Sequence, residues 1–228
     1  MFMSKEESPS LDLILCIDKP YRWTSFDAVK KVRRILKMKK VGHAGTLDPL
    51  ATGLLIVCTG KKTKTIDSLM ADEKEYTGTF SLGSTTASYD LETEIENITD
   101  ISSLTEEKIR KAIKPFLGTI NQIPPVHSAI KVNGKRAYAE ARKGNEVILK
   151  SRSVFIKEFR IEKIELPLVY FRIVCSKGTY IRSIANDFGK VLNCGAHLHS
   201  LRRERIGIYH VNNALTPDQL ETQYKTTV

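Results

Sequence analysis

One carboxylate, Asp48, sits in the run Gly42-His-Ala-Gly-Thr-Leu-Asp-Pro-Leu-Ala-Thr-Gly53, just ahead of the apolar stretch Leu54-Leu-Ile-Val-Cys58. Glycine lets backbone approach a ligand or take a positive φ, and Pro49 fixes the chain directly after the acid. Such a loop holds one side chain in a set place at the mouth of a buried strand. Two roles fit the pattern alone: a carboxylate kept for chemistry, or a tight turn in which the aspartate caps a backbone N–H. A second group of candidates is Lys177-Gly-Thr-Tyr-Ile-Arg182, between a strand and a helix. Tyr180 could offer a stacking face, and Arg182 could keep a neighbouring carboxylate charged. Equally, Tyr180 could pack in the core and Arg182 lie on the surface.

Other chemistries lack their residues. Six residues separate Gly53 from Gly60 and two lysines precede Thr63, which does not fit a phosphate-binding P-loop. There is no Gly-x-Gly-x-x-Gly, Gly-x-Ser-x-Gly or His-Glu-x-x-His. Cys194-Gly-Ala-His197-Leu-His199 has no Cys-x-x-Cys beside it, so zinc is not expected.

The elements that must position these residues follow from periodicity. Leu11–Asp18 reads as a strand ending at Lys19-Pro20. Ser25 offers an N-cap for a helix with Phe26, Val29, Val32 and Leu36 at helical spacing and its basic residues on the other faces. Leu54–Cys58 reads as a buried strand. Tyr76, Gly78, Phe80 and Leu82 alternate along another, which places Tyr76 on an apolar face. Thr105 caps a helix that turns Ile109, Ile113 and Phe116 inward, and Asn133-Gly134 signals a hairpin. Residues 155–175 read as two strands broken near Pro167, 180–192 as a helix with Ile184, Phe188 and Leu192 inward, and 196–208 as a strand. Strands and helices mix without regular βαβ alternation, which predicts an α+β fold with a largely antiparallel mixed sheet flanked by helices. Residues 1–10 are expected to be a disordered tail and 11–228 a single domain.

The 228 residues carry a net charge of +10, which points to a polyanionic partner. The charge is segregated: Lys30-Lys-Val-Arg-Arg-Ile-Leu-Lys-Met-Lys-Lys40 holds no acid, further basic clusters recur at 61–64, 131–143 and 202–205, and acids gather between Asp90 and Glu107. The recurrence in distant segments predicts a positive face able to meet phosphates. The acidic segment 90–107 is expected to be a solvated excursion. Four separated cysteines read as thiols in a reducing compartment, and with no membrane-length apolar run and no signal peptide the expectation is a cytoplasmic protein.

Four stretches, Asp18-Lys-Pro20 with Thr24-Ser-Phe-Asp27, Gly42–Gly53, Lys177–Arg182, and Cys194-Gly-Ala-His with Leu201-Arg-Arg203, together resemble the tRNA pseudouridine synthase B family, in order and with comparable spacing from about Ile14 to Leu220. The resemblance implies the pseudouridine synthase fold and an isomerase that converts uridine 55, in the tRNA T-loop, to pseudouridine. The base is detached from C1′, rotated and rejoined through C5, with no metal and no organic cofactor. It further implies Asp48 as the catalytic carboxylate, Tyr76 stacked on the target base, and Tyr180 as an apolar wall. Arg182 would pair with the aspartate, Leu201 lie beneath the site and His43 lie against the T-loop. Lys19, Gly42 and Arg202 fall in the same motifs and are expected at the substrate. The expected partner is the tRNA T-arm, bound by a monomer.

Three departures from the family pattern stand out. Arg22 occupies a glycine position. Thr86-Ala-Ser-Tyr-Asp90 replaces a run with two acids, which weakens Asp90 as a site residue. The C-terminal RNA-binding PUA domain of many members is not expected in this chain. Two rival readings are a non-catalytic RNA-binding protein on the same fold and an isomerase acting on another RNA.

Overall fold

The computed structural model describes residues 11–128, 131–132, 135–136, 147 and 149–225. They form two compact units. One holds the described residues up to Asp72 and from Arg203 onward, the other Glu73 to Arg202.

In the first unit, β1 (Ile14–Lys19) pairs antiparallel with β3 (Ala51–Thr59), Ile14 opposite Cys58 and Asp18 opposite Leu54. The short β2 (Val41–His43) also pairs with β3, Gly42 opposite Cys58. Successive side chains of a strand point to opposite faces, and both faces of β3 are covered. Leu55 and Val57 join Ile17, Ala28, Val29, Val32, Leu36 and Leu220 in one cluster. Leu54, Ile56 and Cys58 join Ala44, Leu69, Ile206 and Val211 in another. That double coverage is why the strand reads as an unbroken apolar run.

Helix α1 (Ser25–Ile35) begins one residue earlier than the Ser25 cap predicts. Thr24 is the N-cap: its hydroxyl accepts from Asp27 N (3.1 Å) while Asp27 Oδ2 accepts from Thr24 N (3.0 Å), a reciprocal capping box. Ser25 is thereby released for the acid loop. Phe26 departs from expectation too. It is 54% exposed, and Ala28, fully buried, takes the inward position. Lys31 turns to helix α5 (Pro217–Lys225), where it meets Glu221 and Asp218. A 3₁₀ turn (Gly60–Thr65) and α2 (Ile66–Ala71) follow β3.

In the second unit β4 (Lys74–Leu82), β11 (Leu168–Cys175), β10 (Arg152–Glu165) and β7 (Gly118–Gln122) pair antiparallel in that order. The break at Leu166-Pro167 falls where Pro167 predicts it. Helix α3 (Glu106–Lys111) is capped by Thr105, as its sequence predicts, with Ile109 buried, while Phe116 reaches the core from a following 3₁₀ turn. Helix α4 (Ile181–Val191) brings Ile184 and Phe188 inward. Phe80 stacks on Phe171 (4.1 Å) and lies edge-on to Phe159 (6.2 Å), with Phe188 tilted beside them, an aromatic core in offset and edge contacts. Two small ribbons, β5 (Thr85–Thr86) with β6 (Ile95–Glu96) and β8 (Lys131–Val132) with β9 (Lys135–Arg136), complete the unit. The Asn133-Gly134 turn and the tail 1–10 lie outside the described residues.

Strand β12 (Ala196–Ile206) runs on through the division and forms a hairpin with β13 (Tyr209–His210). In the second unit it comes very close to β4: a Cβ at Gly78 would stand 2.3 Å from Ser200 O, and Thr79 and Ser200 share a hydroxyl hydrogen bond of 2.7 Å. Glycine is required at that approach. The α+β class with a mixed sheet flanked by helices is the class read from the sequence.

Candidate active site

In the first unit every neighbour of Asp48 is tied down. Leu47 N donates to Ser25 Oγ (2.8 Å), and that hydroxyl donates back to Leu47 O (3.1 Å). Pro49 O accepts from Arg22 N (2.8 Å), and Ala51 N donates to Asp48 O (3.1 Å). Gly45 and Gly53, at φ 94° and 99°, form the corners of the loop, a conformation that glycine adopts freely. Asp48 itself is half-buried.

Two buried cations hold this loop. Lys19, at the end of β1 and fully buried, donates to Pro20 O (3.0 Å), Trp23 O (2.6 Å) and Pro49 O (3.4 Å). Burial lowers its pKa to about 8, against the opposing pull of the Asp48 charge, and Arg203 adds repulsion. Lys19 thus ties the turn at 20–23 to the acid loop. Arg203 is 1% exposed and donates Nε to Leu54 O (2.7 Å), Nη1 to Thr46 O (3.3 Å) and Nη2 to Gly45 O (3.1 Å). It therefore clips together the chain before and after the acid. The sequence placed Arg203 among phosphate-gripping arginines. The available signal was its spacing: it lies two residues after the apolar Leu201 on a strand, and so shares Leu201's face.

His43 and Gly42 lie on β2. Burial, and then the charge of Arg203, push the His43 pKa down, so the ring is neutral at pH 7. A side chain on Gly42 would press on Ile66 Cδ1 at 2.8 Å.

In the second unit Arg182, in the first turn of α4, is 3% exposed. Its Nε faces Asp90 Oδ2 at 3.5 Å, Nη1 donates to Ser88 O (3.2 Å) and Nη2 to His127 O (3.0 Å). Asp90 is itself buried, and its Oδ1 accepts from Ser88 Oγ (2.6 Å) and Glu92 N (3.0 Å). The acidic segment is therefore not solvated from its first residue: Asp90 faces inward as a partner of Arg182, while residues 91–97 are mostly exposed. In the sequence Asp90 opens a run of acids after Thr86-Ala-Ser-Tyr and carries no signal of burial.

Tyr180 is the N-cap residue of α4. Gln122 fixes its backbone on both sides, accepting from Tyr180 N (2.8 Å) and donating to Tyr180 O (3.0 Å). The Arg152 guanidinium lies 4.5 Å from the centroid of the Tyr180 ring and also donates to Gly178 O. Tyr76 and Leu201 are buried on β4 and β12, and Arg202, half-buried, points to the other face of its strand. Among the described residues no helix is long and apolar enough to cross a membrane.

Comparison with known proteins gives these features their class. Residues 33–181 match the TruB family pseudouridylate synthase N-terminal domain, and residues 182–227 match the tRNA pseudouridylate synthase B C-terminal domain. The chain is thus a pseudouridine synthase by class. It is 54% identical to the tRNA pseudouridine synthase B of Flavobacterium johnsoniae, over 89% of this chain and 91% of that protein. It is 52% identical to that of Parabacteroides distasonis, over 91% of each. Among solved structures, one chain of a Cbf5-Nop10-Gar1 complex superposes with a TM-score of 0.73 at 31% identity, covering 92% of this chain and 54% of that one. One chain of an H/ACA RNP bound to a substrate RNA containing 2′-deoxyuridine gives 0.71 at 25%, covering 98% and 62%. The chain spans little more than half the length of those two. It belongs to the TruB family of pseudouridylate synthases.

Proposed function

We propose that the chain isomerises uridine 55 in the tRNA T-loop, with Asp48 as the catalytic carboxylate and both compact units serving as one catalytic domain. The observation that carries this reading is the acid loop: a half-buried aspartate whose neighbouring backbone is bonded at Leu47, Pro49, Gly45, Thr46 and Leu54 to the buried side chains of Ser25, Lys19 and Arg203. Fixing a reactive group in advance removes the cost of placing it in the transition state.

The target base must leave its stack before its glycosidic bond is reachable, and an aromatic face repays part of that cost. Tyr76 takes that role here, with Tyr180 and Leu201 as apolar walls, Arg182 as a cation of the site held by Asp90, and His43 against the T-loop. Lys19 and Gly42 keep the loop in shape, and Arg202 meets the RNA backbone. The C1′–N1 bond breaks, the base turns, C1′–C5 forms, and the C5 proton leaves to solvent while N1 gains one. The exposed Lys30, Arg34, Lys37, Lys39 and Lys40, with Lys61, Lys62 and Lys64 on the 3₁₀ turn, supply sequence-independent attraction for RNA. The enzyme works as a cytoplasmic monomer without metal or organic cofactor.

The test is tritium release from an unmodified tRNA transcript carrying 5-³H-uridine, with the product position mapped. Release mapping to position 55 supports the assignment. Release mapping elsewhere overturns the T-loop substrate. Tight binding without release would favour an RNA-binding role alone.

A further inference from the structure

Arg22 holds a backbone conformation that few residues other than glycine adopt, with φ 65°. It is the third residue of a turn closed by Trp23 N donating to Pro20 O (3.4 Å), a position where glycine or asparagine is usual when φ is positive. Strain of this kind tends to persist where a side chain has a task. Within the fold the Arg22 guanidinium is exposed, resting 5.6 Å from the centroid of the Tyr21 ring, and Tyr21 is 52% exposed. The exposed Phe26, one residue into α1, repeats the arrangement, with the Lys30 ammonium 4.9 Å from its centroid. Neither ring is needed by the core beneath, which Ala28, Val29 and Val32 complete. Two aromatic faces and two cations therefore stand in water at the turn and the start of the helix.

This segment is bonded to the backbone on both sides of the catalytic acid, through Arg22 N to Pro49 O and through Ser25 Oγ to Leu47. We propose that Tyr21, Arg22, Phe26 and Lys30 form a binding site for an unpaired nucleotide of the substrate RNA, close in the chain to the uridine on which Asp48 acts. A base stacks on an aromatic face, and Arg22 and Lys30 meet the adjoining phosphates. Single-stranded RNA fits this chemistry, because its bases expose their π-faces and its backbone carries the opposite charge. A paired stem offers only the phosphates. The proposal rests on the reading of the chain as an RNA-modifying enzyme with Asp48 at its centre.

The test uses the full chain and a T-arm stem–loop RNA, with Kd measured over a range of salt and the single-turnover rate at saturating RNA. Arg22→Gly should keep Tm at or above that of the parent, because glycine relieves the positive φ, yet weaken binding and reduce the slope of log Kd against log salt by about 0.7 to 0.9. Tyr21→Ala with Phe26→Ala should weaken binding about tenfold with the salt slope unchanged, as loss of stacking requires. The saturating rate should stay at the parent value in all variants. Parent-like affinity and slope in both variants would overturn the proposal. Equal losses on a loop-less duplex of the stem would overturn the unpaired nucleotide as occupant. If the parent protein neither binds nor converts the RNA, the underlying reading fails instead, so the two failures are distinct.

Discussion

Replacing Arg203 by methionine should separate the placing of Asp48 from the binding of RNA. The guanidinium makes three hydrogen bonds, to Leu54, Gly45 and Thr46 carbonyls, at 2.7, 3.1 and 3.3 Å. At about 1.5–3 kcal/mol for each bond to a charged group, the gross loss is roughly 5–9 kcal/mol. Removing a buried cation returns several kcal/mol of desolvation, so the net cost expected in urea denaturation is about 3 kcal/mol. Lysine at 203 keeps the charge but cannot span carbonyls on both arms of the loop, and should cost about half as much. The larger effect is on rate: a loop free to move by about 1 Å should lower single-turnover kcat roughly 100-fold while RNA affinity stays within about threefold. Arg203 also depresses Lys19, so the alkaline limb described below should move upward in Arg203→Met. A stably folded Arg203→Met protein with parental kcat would refute the clip. Rate and affinity falling in proportion would place Arg203 on the RNA instead.

Three further outcomes follow from the same geometry. Asp90→Ala removes the buried carboxylate 3.5 Å from Arg182 Nε, and should cost about 3 kcal/mol in urea denaturation, with Asp90→Asn milder because it keeps an acceptor for Ser88 and Glu92; a loss under about 0.5 kcal/mol would show that Asp90 does not hold Arg182. Lys19, held near 8 rather than 10.5, gives up its proton in the folded state first, so between those values its contribution to stability rises with pH, yet its charged grip on three carbonyls is lost. The rate should therefore fall as pH rises through about 8, and a profile flat from about pH 7 to about 9.5 would contradict this. Changing Lys30, Arg34 and Lys37 together to alanine should lower the salt slope of RNA binding by about 2 to 3, and an unchanged slope would mean that α1 faces away from RNA.

The acid loop was legible because its signals are local: glycines at the corners, proline after the acid and an apolar run behind. What the sequence hid depends on direction and partnership. Arg202 and Arg203 are adjacent and alike in type, and only the pleat decides that one is buried and the other half-exposed. Thr24 and Ser25 are both good caps, and the choice fell to Thr24 because Asp27 stands at the reciprocal position. Phe26 lies about 100° around the helix from the stripe of Ala28, Val29, Val32 and Leu36, so helical spacing admitted it while packing did not. Asp90 was masked by the acids that follow it, since its burial depends on Arg182, far along the chain.

On the proposed function, Asp48 carries the reaction. Asp48→Asn keeps the shape of the side chain and removes its charge, and single-turnover tritium release from 5-³H-uridine tRNA, measured beside RNA affinity, tests it most directly. No release above background is expected, with Kd within about threefold of the parent, since the clips of Lys19 and Arg203 remain. Release within about tenfold of the parental rate would contradict it.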